Sequence, residues 1–485
     1  MRFRGLVPRA RGRPLDRIPL ASPLHAAFAA PGSSPGARPI WCVDTESWPA
    51  RRNTLPAYAR AFAEGAGFKP EAGRHLLVPG KEGVAGALFA LDAPSKRDTD
   101  RFMPGKLVGV LPAGTWRFAA PPPDARLGAL AFALGRYRFD RYSKKKSKDA
   151  KAPRLELPKG VDGVELTRIV EAVYLVRDLV NTPANDLGPA ELTDAARRLA
   201  ARHGAKISVV TGNALRKNFP LVHAVGQGSA RGPRLIDLVW GKPKHPKVTL
   251  VGKGVVFDTG GLDIKPDSAM LLMKKDKGGA AQALGLAHMI MDAKLPVRLR
   301  VIIPAVENSV SGTAFRPGDV FPSRKGISVE IGNTDAEGRL ILADALALAD
   351  EEAPDLLVDF ATLTGSARVA LGPELPAAFT EDDALAAELM RFGVAEADPS
   401  WRLPLWRPYA GMLDSKIADT NNISGGPFAG AITAALFLSR FVEHAKSWLH
   451  LDLYAWNAKE RPGRPEGGEA QTIRALYALL ASRYR

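Results

Sequence analysis

Two carboxylates separated by one residue, Asp335 and Glu337, lie in the stretch GNTDAEGRL, with Arg339 two positions further on. Two other segments carry similar residues. VGKGVVFDTGGLDIKP holds Lys253, Asp258 and Lys265, and MLLMKKDKGGAA holds Asp276 before a Gly-Gly pair. Taken singly, each acid has a bland explanation: Asp276 caps a helix, while Asp335 and Glu337 favour the positive end of the helix that follows. Their joint occurrence points elsewhere. Several carboxylates buried together are tolerable only with positive charge between them. Two divalent ions about 3.5–4 Å apart supply that charge and lower the pKa of a shared water. Oxygen ligands without His suit Mn²⁺ or Mg²⁺, and Zn²⁺ is also held by Asp and Glu. This chemistry points to a two-metal hydrolase or a phosphoryl-transfer enzyme and leaves the substrate open. If the chain is extended between the two acids, Ala336 turns away from them.

Competing chemistries find less support. No G-x-S-x-G nucleophile elbow is expected, and neither G-x-G-x-x-G nor G-x-x-x-x-G-K-[ST] is present. The eight His residues form no H-E-x-x-H or close pair. His288 on an apolar helix and His450 within a strand read as hydrogen-bonded core residues. Cys42, the lone cysteine, excludes an intramolecular disulfide, fits a reducing compartment and has no nearby His to activate it.

The acids fall at or just after strand ends. From Ala190 onward helical and strand patterns alternate: AELTDAARRLAARHG and KISVV, then KVTLVGKGVVFD, the buried-helix pattern GGAAQALGLAHMIMDA and RLRVIIPAVE. GRLILADALALADEEAP and DLLVDFATLTG form the next pair, and AGAITAALFLSRFVEHA with SWLHLDLYAW the last. Such alternation predicts α/β architecture with a mostly parallel sheet flanked by helices, which binds ligands beyond the carboxyl ends of its strands. A helical pattern over VELTRIVEAVYLVRDLVNTPAND, stopped at Pro183, bridges this part to a smaller N-terminal α/β domain. The expected boundaries are a basic extension at 1–19, the N-terminal domain at 20–165 and the catalytic domain at 166–485. The run SKKKSKDAKAPR, Ser143 to Arg154, reads as an exposed linker near the end of the N-terminal domain.

The net charge of +16 over 485 residues permits non-specific attraction to polyanions. Part of the excess lies in the N-terminal arm and the linker, and aromatics are not interleaved with it, so no dedicated nucleic-acid function is expected. No apolar run reaches the length of a membrane span. The N-terminal arm lacks the apolar core of a secretory signal and is read as a basic extension, a transit peptide being the alternative.

The three segments, with SGTAFRPGDV and DFATLTGSARVALG in matching order, closely resemble the motifs of the leucyl (cytosol) aminopeptidase family of metallopeptidases over roughly residues 170–450. The resemblance implies two divalent metal ions per subunit, Mn²⁺ or Zn²⁺. Lys253 as a neutral amine, Asp258, Asp276 and Glu337 would hold the tighter ion. Asp258, Asp335 (side chain and backbone carbonyl) and Glu337 would hold the more exchangeable one. It further implies Lys265 as electrophile, a bicarbonate general base on Arg339, and substrate contacts from Met273, Thr362, Leu363 and Gly365. The activity implied is release of N-terminal amino acids from peptides with a free N-terminus, by a hydroxide bridging the metals. A cytoplasmic homohexamer without membrane partners is implied as well. The chain departs from the family at Lys275 and Lys277, which flank Asp276, and in LYAWNAKERPGRPEGGEA after HLD. The second region lies near the substrate pocket in that family, so the resemblance does not imply a leucyl preference.

Overall fold

The computed structural model describes residues 24–96, 99–144 and 152–484. The expected extension at 1–19 and most of the basic linker lie outside the described residues. The chain forms two α/β units. The smaller is built on six strands, five of them parallel, with His75–Gly80 joining antiparallel at one edge. The string GSSPG at Gly32 to Gly36 has elbow spacing, but it turns between the strands Phe28–Ala29 and Arg38–Val43 rather than opening a helix.

The larger unit carries a nine-stranded sheet. Its centre is four parallel strands in the order Trp448–Asp452, Leu356–Ala361, Lys247–Gly252 and Arg298–Asn308. Beyond them Ala377–Phe379 on one side and Arg234–Trp240 on the other run antiparallel, so the sheet is mixed at its flanks. The predicted single strand KVTLVGKGVVFD is two strands, Lys247–Gly252 and Gly254–Asp258. At Lys253 the backbone N–H donates to the Phe360 carbonyl at 2.9 Å while the carbonyl accepts from Ala280 N–H at 2.8 Å. The chain then continues against the second half of Arg298–Asn308 alone.

Side-chain alternation divides the core between the two faces of this sheet. Val248, Leu250, Leu299, Val301, Val358 and Phe360 pack on one side, beneath the helix Gly278–Asp292, buried as far as Met291, and the helix Pro189–His203. Val251, Ile302, Leu357 and Ala361 pack on the other, beneath Glu337–Asp350 and Gly430–Ser439. Gly279 allows the close approach of helix to sheet: a Cβ there would lie 2.1 Å from the Phe360 carbonyl oxygen.

The bridging helix runs Gly163–Asn181. Asp162 caps it through the Val164 and Glu165 amides, and Thr182 before Pro183 turns extended, as a residue preceding proline prefers. Its apolar face shares one core with Leu130 and Phe132 of the smaller unit and Leu284 of the larger. No described helix is long and apolar enough to cross a membrane.

Candidate metal centre and active site

Because the central strands are parallel, their carboxyl ends meet at one edge, and the chemistry-bearing residues lie there. Lys253 follows the strand Lys247–Gly252, Asp258 ends Gly254–Asp258, Thr362 follows Leu356–Ala361, and Asp452 ends Trp448–Asp452. Asp276 comes from the 3₁₀ turn Met273–Lys277, and Glu337 is the first residue of Glu337–Asp350. The backbone at Ala336 (φ −103°, ψ 36°) turns into that helix. The extended reading therefore does not apply: Ala336 also lines the cavity, and a turn brings the two acids together.

The cavity has a volume of about 600 Å³. Lys253, Asp258, Lys265, Asp276, Asp335 and Arg339 line it, as do Met273, Thr362, Leu363 and Gly365, with Glu337 buried directly behind Lys253. Asp258, Asp335 and Glu337 each place a carboxylate oxygen within 4.8 Å of the other two. Asp276 joins through Lys253, whose Nζ lies 2.9 Å from Asp276 Oδ2 and 2.8 Å from Glu337 Oε1. Lys265 Nζ lies 2.8 Å from Asp258 Oδ2 and also touches Asp335 Oδ1. The Lys253 stem rests on the following helix at Gly338, where a Cβ would stand 2.6 Å from Lys253 Cε.

Electrostatics here are unbalanced. Burial, then repulsion from Asp258, pushes Glu337 up to about 8 and Asp335 up to about 6. Burial opposes ionisation of Asp276 too, but Lys253 prevails and holds it low. Burial also opposes the charge on Lys253 and Lys265. The carboxylates outweigh it, with Asp276 and Glu337 foremost around Lys253 and Asp258 around Lys265, so both ammonium groups stay above the usual lysine range. Asp276 Oδ2, Asp335 Oδ1 and Glu337 Oε1 are buried with ammonium groups close by, yet none accepts a hydrogen bond of good geometry from a described residue. Such directed, unspent lone pairs fit divalent cations. For Lys253 to serve as a neutral ligand it must yield its proton to the metal charge, since its protein neighbours favour the ammonium.

A supporting frame went unread in the sequence. Asn308 Nδ2 donates to Asp258 Oδ1 at 2.9 Å, and Gly260 N–H donates to the same oxygen at 2.9 Å, aiming Oδ2 at the cluster. Thr334 ties the Asp335 loop to the Gly260 carbonyl and to Asp263. Thr362 Oγ1 donates to Asp276 Oδ1 at 2.7 Å, so Asp276 holds the site rather than capping a helix. Asp452 accepts from the Leu363 and Thr364 amides and fixes the loop after the strand Leu356–Ala361. Arg339 is buried; its Nη1 donates to the Asn422 carbonyl at 2.6 Å, and burial lowers it to about 10. Gly260 and Thr334 sit inside the motifs of Asp258 and Asp335, while Asn308, Thr362, Asp452 and Asn422 come from distant segments and had no signal in spacing. His288 and His450 are buried and hydrogen-bonded as expected, to His203 and Asp359.

Residues 174–477 match the model of the cytosol aminopeptidase family catalytic domain, and residues 39–158 match the N-terminal domain of M17 aminopeptidases. A probable cytosol aminopeptidase of Syntrophotalea carbinolica is 44% identical over 364 residues, covering 72% of this chain and 73% of that protein. The crystal structure of a cytosol aminopeptidase from Coxiella burnetii superposes with a TM-score of 0.89 at 44% identity, covering 95% of this chain and all of the other. The bottromycin maturation enzyme BotP in complex with Mn superposes with a TM-score of 0.82 at 34% identity, over 92% of this chain and 99% of the other. With its two-unit fold and its acid cluster at the carboxyl edge of the sheet, this chain belongs to the cytosol aminopeptidase family and is a metal-dependent aminopeptidase, a peptide-cleaving exopeptidase hydrolase.

Proposed function

We propose that this enzyme releases N-terminal amino acids from peptides at a centre that takes two divalent ions, with Mn²⁺ or Zn²⁺ as the metal. The observation that carries the reading is the convergence of Asp258, Asp335 and Glu337 within 4.8 Å, beside the buried Lys253 and the half-buried Lys265. Lys253, Asp258, Asp276 and Glu337 would hold the tighter ion, and Asp258, Asp335 and Glu337 the more exchangeable one. When bound, the ions supply Lewis-acid polarisation of the scissile carbonyl and a water of lowered pKa.

The protein's own groups do the rest. Lys265 is kept cationic by Asp258 and opens onto the cavity, so it can stabilise an oxyanion developing on the substrate. Arg339 opens onto the same space with its Nε unbonded to any described residue, which suits an anion acting as general base, bicarbonate in this reading. Met273, Thr362, Leu363 and Gly365 lie along the same cavity and are assigned to substrate contact. The expected assembly is a cytoplasmic homohexamer, which light scattering coupled to gel filtration checks.

Hydrolysis of unblocked aminoacyl-p-nitroanilides should rise with Mn²⁺ and vanish with a chelator. Metal-loaded protein inactive across a full panel of such substrates overturns the reading.

A further inference from the structure

Three lysines in a row of four residues meet different fates. Lys274 Nζ donates to the Asn181 carbonyl at 2.9 Å, and Lys277 Nζ donates to the Thr182 and Lys274 carbonyls at 2.9 and 2.7 Å. Lys275 is 6% exposed and lines the catalytic cavity, but its ammonium has no hydrogen bond and no ion pair with any described residue. It lies 4.4 Å from the ring centroid of Tyr454. The Arg368 guanidinium lies 5.2 Å from the same ring, is likewise without a described hydrogen-bond or ion-pair partner, and lines the same cavity.

Two cations thus lie against one aromatic ring in a substrate cavity. A cation–π contact contributes only about 0.5–2 kcal/mol and does not replace an anion for a buried ammonium. The nearby acids are committed elsewhere. Asp276 serves Lys253 and Thr362, and Asp452 accepts from the Leu363 and Thr364 amides and the Thr364 hydroxyl. What remains is space for an anion brought by the ligand, with an apolar ring beside it to pack on a short aliphatic stem.

We propose that Lys275 and Arg368, both packed against Tyr454, form a carboxylate subsite that makes the enzyme select peptides whose N-terminal residue has an acidic side chain. This rests on the aminopeptidase reading above and adds its substrate class. The same chemistry would also hold the terminal carboxylate of a dipeptide, so the test separates the two sources.

The metal-loaded full chain is assayed on Glu-, Gln- and Leu-p-nitroanilide, and on Leu-Gly against Leu-Gly amide. A Glu-over-Gln preference in kcat/KM of roughly tenfold is expected from one charge-assisted contact. It should shrink in high salt and collapse towards unity in Arg368→Gln and in Lys275→Met. Arg368 is exposed, so that variant remains informative where the buried Lys275 change fails to fold. A preference for Leu-Gly over its amide that is lost in the same variants assigns the subsite to the dipeptide terminus. Leu turnover with neither preference overturns the subsite while leaving the aminopeptidase intact. A Glu preference that survives both variants belongs to the metals and overturns it too. If nothing is hydrolysed, calorimetric titration with L-glutamate and L-glutamine still decides: tighter glutamate, weakened by Arg368→Gln, supports the subsite, and equal binding sinks it.

Discussion

Two buried charge clusters in this molecule follow opposite logic. Around Arg177, on the bridging helix, charge is matched. Its Nη1 donates to the Leu134 carbonyl at 2.8 Å, and its Nη2 to the Gly463 carbonyl at 2.9 Å and to Glu469 at 3.2 Å. Glu469 in turn accepts from the Ala470 amide at 2.9 Å and from Asn457. One cation meets one anion, and backbone carbonyls take up further donors. At the carboxyl edge of the sheet, four carboxylates share two lysines and three oxygens lack a hydrogen bond among the described residues. The first cluster spends its interactions on joining two units; the second leaves them available for ligands. Matching of charge, rather than burial, separates the two clusters: around Arg177 only its Nε is left without a described partner, whereas the sheet edge leaves three carboxylate oxygens.

Substitutions should divide along that line. Glu337→Ala should cut kcat/KM at least about ten-thousandfold, more than 5 kcal/mol of transition-state stabilisation. Its thermal midpoint should hold, because burial and Asp258 already disfavour a carboxylate there and Lys253 keeps Asp276 as its partner. Retained turnover would sink the bridging role. Glu469→Ala should do the reverse, since it leaves Arg177 buried without its partner. A loss of about 3–5 kcal/mol in urea unfolding is expected, with turnover per folded molecule preserved, and an unchanged midpoint would contradict the matched-cluster account. Gly338→Ala pushes on the Lys253 stem, and a displacement of that size should cost roughly a hundredfold in turnover with little change in stability. Tyr137→Phe is the mildest test. It removes the 2.7 Å hydrogen bond to Asp178 beside Arg177 and should cost about 1 kcal/mol of stability, with kinetics unaffected.

Much of the fold was legible because periodicity is local. The Gly278–Asp292 and Glu337–Asp350 helices, the Pro183 stop and the central parallel strands each follow from spacing within a short window. The antiparallel flanks and the break at Lys253 were not legible, since pairing direction and a change of strand partner depend on segments far away. The site residues were named by type and motif, but the side chains that aim them were not. Asn308, Asn422 and Asp452 reach the centre from different strands and loops, and no sequence distance encodes that meeting.

What the chain determined by itself is the kind of chemistry. Four acids, two lysines and an arginine in three ordered motifs imply a metal-dependent site wherever the fold places them. What only the tertiary structure decided is which charges are spent. Lys277 is satisfied by carbonyls of the bridging helix's end and its own turn, while Lys275, two residues away, points its charge into the cavity beside Tyr454. In one dimension they are equivalent lysines on either side of Asp276. A buried ion's energy is set by neighbours within a few ångströms, and those neighbours are chosen by folding.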